Sequence, residues 1–145
     1  MTNLMRHALV TILLGFAIAV GTGARADVSS ADRATIQTII QNQIAAFQRD
    51  DGATAYSYAS PTIQGLFPSP EQFMTMVRDG YRPVYRPRSV VFGEVIETLA
   101  GPVQRVYLTG PDGRGWVALY SLERQPDGSW KINGCRLIVD EGGQA

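Results

Sequence analysis

The stretch SVVFGEVIETLAGPVQRVYLTGPDGRGWVALYSLERQPDGSWKINGCRLIV, residues 89–139, decides the fold. Four runs rich in β-branched and aromatic residues lie in it: Ser89–Leu99, Val103–Leu108, Trp116–Arg124 and Trp130–Val139. They are parted by Gly101-Pro102, Gly110-Pro111-Asp112-Gly113 and Pro126-Asp127-Gly128. Separators this short, made of residues that preset a turn, join consecutive antiparallel strands. The expectation is a four-stranded meander.

Upstream of residue 89 the period changes. Ser29-Ser30-Ala31-Asp32 opens a helix with a hydroxyl cap and an early acid. Ile36, Ile39, Ile40, Ile44 and Phe47 then recur at three and four, one apolar stripe, while Gln37, Gln41, Gln43 and Arg49 fall largely elsewhere. Asp51 caps a short helix over Ala53–Ala59, which Ser60-Pro61 stops, and Thr62–Phe67 forms one further turn. Ser69-Pro70-Glu71-Gln72 starts another helix running to about Asp79, with Phe73, Met76 and Val77 as its buried edge. Helices first and a meander after them give an α+β domain, with the helices on one face of the sheet.

Residues 1–26 read as a secretory signal. Arg6 and His7 precede the apolar run Ala8–Val20, and Ala24-Arg25-Ala26 is a small-x-small cleavage site. Thirteen helical residues reach about 20 Å, short of a hydrocarbon core of roughly 30 Å, so a cleaved signal is expected rather than a retained anchor. The expected mature domain is 27–145, in the periplasm. Of 13 basic residues it loses Arg6 and Arg25 and keeps all 13 acids, for a net charge of −2. It also loses His7, the sole histidine of the chain.

Those counts exclude several chemistries. Without histidine there is no Ser-His-Asp or Cys-His nucleophile and no imidazole metal ligand. One cysteine, Cys135, makes no internal disulfide and no Cys-rich zinc site. A slightly acidic domain with Lys131 as its one lysine is a poor partner for nucleic acid. No metal or organic cofactor is expected.

Certain segments resemble a known family in their order along the chain. They are AAFQRDDG (45–52), AYSYASP (55–61), Phe73-Met74-x-Met76-Val77, YRPVY (81–85) and DGSWxINGC (127–135). Together, over roughly Ile36–Val139, they resemble the bacterial domain-of-unknown-function family 4864. The resemblance implies a cystatin-like cone, the architecture of nuclear transport factor 2 and the SnoaL-like proteins. It implies no activity. Enzymes of that fold use His-Asp or Asp with Tyr in the cone pocket, and the first pair has no histidine here.

Each candidate site residue also has a plain structural reading. Tyr81, Arg82, Tyr85, Arg86 and Arg88 form a basic-aromatic run with Tyr-Arg-Pro twice, where prolines favour extended backbone. Extended arginines clamp anions and tyrosines stack on rings, but the same run serves as a stiff connection with solvated or ion-paired arginines. Tyr56 is a hydrogen-bond donor if it faces the cone, or amphipathic packing if it does not. Asp50 and Asp51 are general-base candidates or helix caps, with capping favoured. Glu94, flanked by Val90, Phe92 and Ile96, is the strand acid expected to face inward, paired with Arg105 or Arg136. Trp116 and Trp130 begin strands after turns and line the cone mouth or close the core. Cys135 is expected to be buried and inert.

The leading expectation is a non-enzymatic binding module for a small acidic or aromatic ligand or for a protein. Its contact residues would be Tyr56, Tyr81, Arg82, Tyr85, Arg86 and Trp130. The competing expectation is a cofactor-free isomerase or dehydratase with Asp51 or Glu94 as base and Tyr56 or Tyr81 as donor. A homodimer through the open sheet face, using Val117, Leu119 and Leu137, is a further expectation.

Overall fold

The computed structural model describes residues 28–141; the expected signal segment 1–26 and its cleavage site lie outside them. Five helices precede four strands. They are α1 Ser30–Gln48, α2 Gly52–Ser57, α3 Pro61–Leu66, α4 Pro70–Gly80 and α5 Arg82–Tyr85, then β1 Ser89–Thr98, β2 Gly101–Thr109, β3 Gly115–Arg124 and β4 Trp130–Val139. The caps read from the sequence are in place. Ser29, Asp51 and Ser69 each accept a backbone N–H of the following helix, and Ser60, expected to stop α2, caps α3 in the same way. α5 departs from expectation: residues 82–85 are a helical turn, because Pro83 sits in its first turn, where no backbone N–H is needed.

The sheet is an antiparallel meander in the order β1-β2-β3-β4, and the helices cover one face. Ile36, Ile40, Ile44 and Phe47 of α1 meet Val106, Leu108, Ala118, Tyr120 and Leu122 of the sheet in one buried core. In α4 the buried edge is Phe73, Met74 and Val77, with Met76 only partly covered.

Two bulges bend this sheet, and both reverse sequence expectations. In β1, three steps from Phe92 to Val95 oppose two steps from Val106 to Gln104. The ring of Tyr107 lies over Gly93, where a Cβ would come within 2.6 Å of it, so the position needs glycine. The buried Gln104 amide donates to the carbonyls of Gly93 (2.9 Å) and Arg105 (2.8 Å), holding the kink. The extra residue shifts the alternation by one, so Val95 takes the inward place after Phe92. Glu94 is therefore on the outer face and exposed, paired to Arg105 at 2.8 Å, instead of facing the interior. In β4, Gly134 opposes Ser121 but Ile132 opposes Leu122, leaving Asn133 as the extra residue. Leu137 opposes the buried Ala118 and packs on the core, so it faces the helices and not the open face with Val117 and Leu119.

The bulge in β4 is also where the layers join. Ile132 N–H donates to Tyr58 O and Ser60 N–H to Ile132 O, both at 2.8 Å, a short parallel bridge between the helical layer and the free edge of the sheet. Ser60, wholly buried, donates through Oγ to Asn133 Oδ1 at 2.7 Å and caps α3 by accepting from Ile63 N–H. A second tie holds the start of α1. Asp32 accepts from Trp130 Nε1 at 3.3 Å and from Arg124 at 2.8 Å, with the guanidinium 4.6 Å from the Trp130 ring centre.

Two predictions follow from these ties. Ser60→Ala removes a cap and a buried hydroxyl partner together, so urea unfolding should show a loss of about 2 kcal/mol with an unchanged slope. A slope that falls with the midpoint would mean the layers separate before global unfolding. The Trp130 hydrogen bond, chiefly, holds the Asp32 carboxyl below its ordinary value of 3.8. A depressed folded pKa stabilises above the unfolded pKa, and that contribution is lost as pH falls through the lower folded value. Below about pH 4 the thermal midpoint of Trp130→Phe should therefore fall less steeply than that of the wild type; parallel acid limbs would refute the tie.

Candidate functional site

Between helices and sheet the core is incomplete, leaving a cavity of about 310 Å³. Phe47 of α1, Ile63 of α3 and Phe73 and Val77 of α4 wall it from the helices, and Tyr120, Ile132 and Cys135 wall it from the sheet. Phe73 is the centre of the helical wall, with its ring 6.1 Å from Phe47, 5.6 Å from Tyr56 and 6.5 Å from Phe67. At the mouth stands Leu66, 68% exposed, an apolar residue the core never covers.

The polar side chains in the wall are Gln43, Tyr81, Tyr120 and Cys135; among the described residues no Asp, Glu, Lys or Arg lines the cavity. Gln43 is 3% exposed and donates to Ala55 O at 3.2 Å. Tyr120 and Cys135 are directly opposed across β3 and β4, so both side chains emerge on the cavity face. The Tyr120 hydroxyl is buried and makes no hydrogen bond of ordinary geometry; its polar neighbour is the Cys135 thiol, a weak partner. Burial pushes the Cys135 thiol up to about 12 and raises Tyr120 and Tyr81 above the ordinary phenol value. All three carry their protons at neutral pH, and the thiol is a poor nucleophile.

The remaining sequence-derived candidates are held elsewhere. Tyr56 donates from its hydroxyl to Phe67 O at 2.7 Å and Gln64 O at 3.2 Å, fastening α3 to α2. Asp51 caps α2 through Thr54 N–H at 3.1 Å and pairs with Arg49, and the cap holds its carboxyl below the ordinary range, unsuited to a base. Tyr85 and Arg86 close on Asp50 instead of on a ligand. The Tyr85 hydroxyl and the Arg86 guanidinium both donate to its carboxylate, and Arg86 also donates to Phe47 O at the end of α1. The Arg86 guanidinium lies 3.9 Å from the Tyr85 ring centre. Asp50 itself stands at φ 54°, a left-handed position at which a short acid can end a helix. Arg82 is exposed, and Trp130 is spent on Asp32. Of the expected contact residues, the cavity gathers Tyr81 alone.

Gln43, Tyr120 and Cys135 complete the polar set, and the sequence carried a signal for the first. Gln43 lies three after Ile40 and four before Phe47, on the apolar stripe, so its amide points inward and not to the polar face. Tyr120 had no such mark, since an aromatic on a strand reads as core.

No curated protein matches the chain. A crystal structure of a protein of unknown function with a cystatin-like fold, from Nostoc punctiforme, superposes with a TM-score of 0.55 over 80% of this chain and 96% of that one, at 11% identity. The likeness is one of fold, and it agrees with the α+β class expected from the strand and helix pattern and with the cystatin-like cone that the family resemblance implied. The model of the family described as Domain of unknown function (DUF4864) matches residues 29–145, nearly the whole of the described domain, and the chain belongs to that family.

Proposed function

We propose that the protein is an exported, non-enzymatic binding module whose ligand is a small, largely apolar or aromatic molecule held in the cone cavity. The single observation that carries this reading is the cavity itself, about 310 Å³ of apolar space with a few neutral polar groups in its wall. That is the lower end of the size at which proteins hold small molecules, roughly 300–1,000 Å³. An acidic ligand, suggested by the arginine run, finds no cation in this wall, and a carboxylate stripped of water there has nothing to balance its charge. The isomerase or dehydratase alternative lacks its base, because Asp51 caps a helix and Glu94 sits on the outer face of the sheet. A second copy has a surface of its own on that outer face. Val91, Tyr107, Val117 and Ile138 follow one another across the four strands, with Val91 60% and Ile138 41% exposed.

Two experiments test the proposal. A neutral naphthyl fluorophore, N-phenyl-1-naphthylamine, should bind saturably with a rise in emission. Met76→Trp, which puts an indole into the half-buried part of the wall, should weaken it at least about tenfold while the thermal midpoint holds. A linear, non-saturating response, or one indifferent to the indole, would remove the cavity from the function. Native mass spectrometry of the protein released from its own cell envelope should give a chain beginning at Asp27, with any retained ligand and the oligomeric state in the same spectrum. A chain still carrying residues 1–26 would overturn export through a cleaved signal.

A further inference from the structure

Tyr120 is the unusual member of the cavity wall. It is 1% exposed, in the centre of the sheet, and its hydroxyl has no partner better than a thiol. An unsatisfied buried hydroxyl costs a folded protein roughly 1–3 kcal/mol. Phenylalanine would supply the same ring without that cost, so folding alone gives no reason for the oxygen. The group opposite it repeats the pattern: Cys135 carries an S–H into the same space, where alanine or valine would pack as well. Tyr81, at the junction of α4 and α5, brings a third protonated group to the cavity, where burial and the neighbouring Cys135 disfavour its anion.

These three groups share a chemistry. All are neutral, and all hold a proton that they can donate. Two are phenols, stronger donors than acceptors, and no charged side chain accompanies them. An anion would be buried without a counterion and an ammonium without a carboxylate, whereas a neutral oxygen with two lone pairs answers two donors at once.

We infer that the sheet side of the cavity, Tyr120 and Cys135 with Tyr81 beside them, binds a ketone-like carbonyl oxygen, and that the ligand is an apolar ring or chain carrying that group. The inference deepens the binding reading above and rests on it. Tyr120 is the principal donor, because it alone is fixed by the sheet on both flanks. Cys135 is the weaker one. The apolar walls from α1, α3 and α4 take the rest of the molecule, and a carbonyl ligand is distinguished from its hydrocarbon counterpart by the otherwise unsatisfied hydroxyl.

The test pairs 1-tetralone with tetralin, matched in ring size and differing in the carbonyl, each titrated against the naphthyl fluorophore on wild type and Tyr120→Phe. Comparing each probe across the two proteins cancels the different cost of taking ketone and hydrocarbon out of water. The expected result is that Tyr120→Phe weakens the ketone roughly five- to tenfold and changes the hydrocarbon less than about twofold. The effect should be flat from about pH 6 to 9, because burial keeps the phenols and the thiol protonated across that range. In the wild type alone, the infrared carbonyl stretch of bound tetralone should lie below its value in hexane. If both probes bind and the substitution treats them alike, or if the stretch stays at its hexane value, the carbonyl inference falls and the cavity reading stands. If neither probe nor fluorophore binds, both fall.

Discussion

Three backbone and side-chain bonds at the edge of the sheet hold the architecture open. Ile132 pairs in parallel with Tyr58 and Ser60, and Ser60 Oγ reaches Asn133, the residue that the bulge in β4 adds. An edge strand normally leaves such backbone groups to solvent or to another chain; here a stretch between two short helices takes them. The consequence is geometric. The joint fixes the distance between α2, α3 and the last strand, and Ala59, trapped between its bonded neighbours, is small enough to leave space beside it. α1 meanwhile is pinned at its start by Asp32 to Trp130 and Arg124, and at its end by Arg86 to Phe47 O. With both layers tied at their rims, the middle of the interface need not collapse, and it does not.

Charge follows the same division. The ion pairs Asp32–Arg124, Asp50–Arg86, Asp51–Arg49 and Glu94–Arg105 stand at helix ends or on the outer face, each at least partly in water. Exposed pairs contribute little energy singly, but they can set where a helix end lies. Among the described residues the buried interior keeps amide, hydroxyl and phenol and no Asp, Glu, Lys or Arg. The cavity wall accordingly offers shape and a small number of neutral hydrogen-bonding groups, with no carboxylate among its described residues.

Much of the frame was legible because it depends on local rules. Turn residues placed the four strands in order, and Ser29, Asp51 and Ser69 were read as caps and serve as caps, since capping needs only a side chain and the next turn; Ser60, read as a helix stop, caps the next helix as well. The site was less legible, for two physical reasons. A bulge adds one residue to a two-residue period, so Glu94 looked inward by counting and faces outward in fact. Nothing in a linear pattern announces that phase shift except Gly93, whose need is visible only once Tyr107 lies across it. The second reason is competition for partners. Tyr56, Tyr85, Arg86 and Trp130 have the chemistry of ligand contacts, but each finds a carbonyl or carboxylate of its own chain first. Sequence shows what a side chain can bond, while the fold decides whether anything is left for a ligand to bond.

Tyr81, Tyr120 and Cys135 are what is left. In a domain whose margin of stability is about 5–15 kcal/mol, an unmatched hydroxyl in the middle of the sheet is a visible fraction of the whole. Some buried polar groups are matched within the chain: Ser60 has Asn133, Gln43 has Ala55 O and the Gln104 Nε2 has two carbonyls, while Gln104 Oε1, Arg105 Nε and Trp116 Nε1 lack a partner as the Tyr120 hydroxyl does. Of these unmatched atoms among the described residues, the Tyr120 hydroxyl is the one whose residue lines the cavity between helices and sheet. A polar group left unmatched beside a cavity is one that an entering molecule can match, and a wall without charge favours an uncharged molecule, since an ion there would lose its water with no counterion in return.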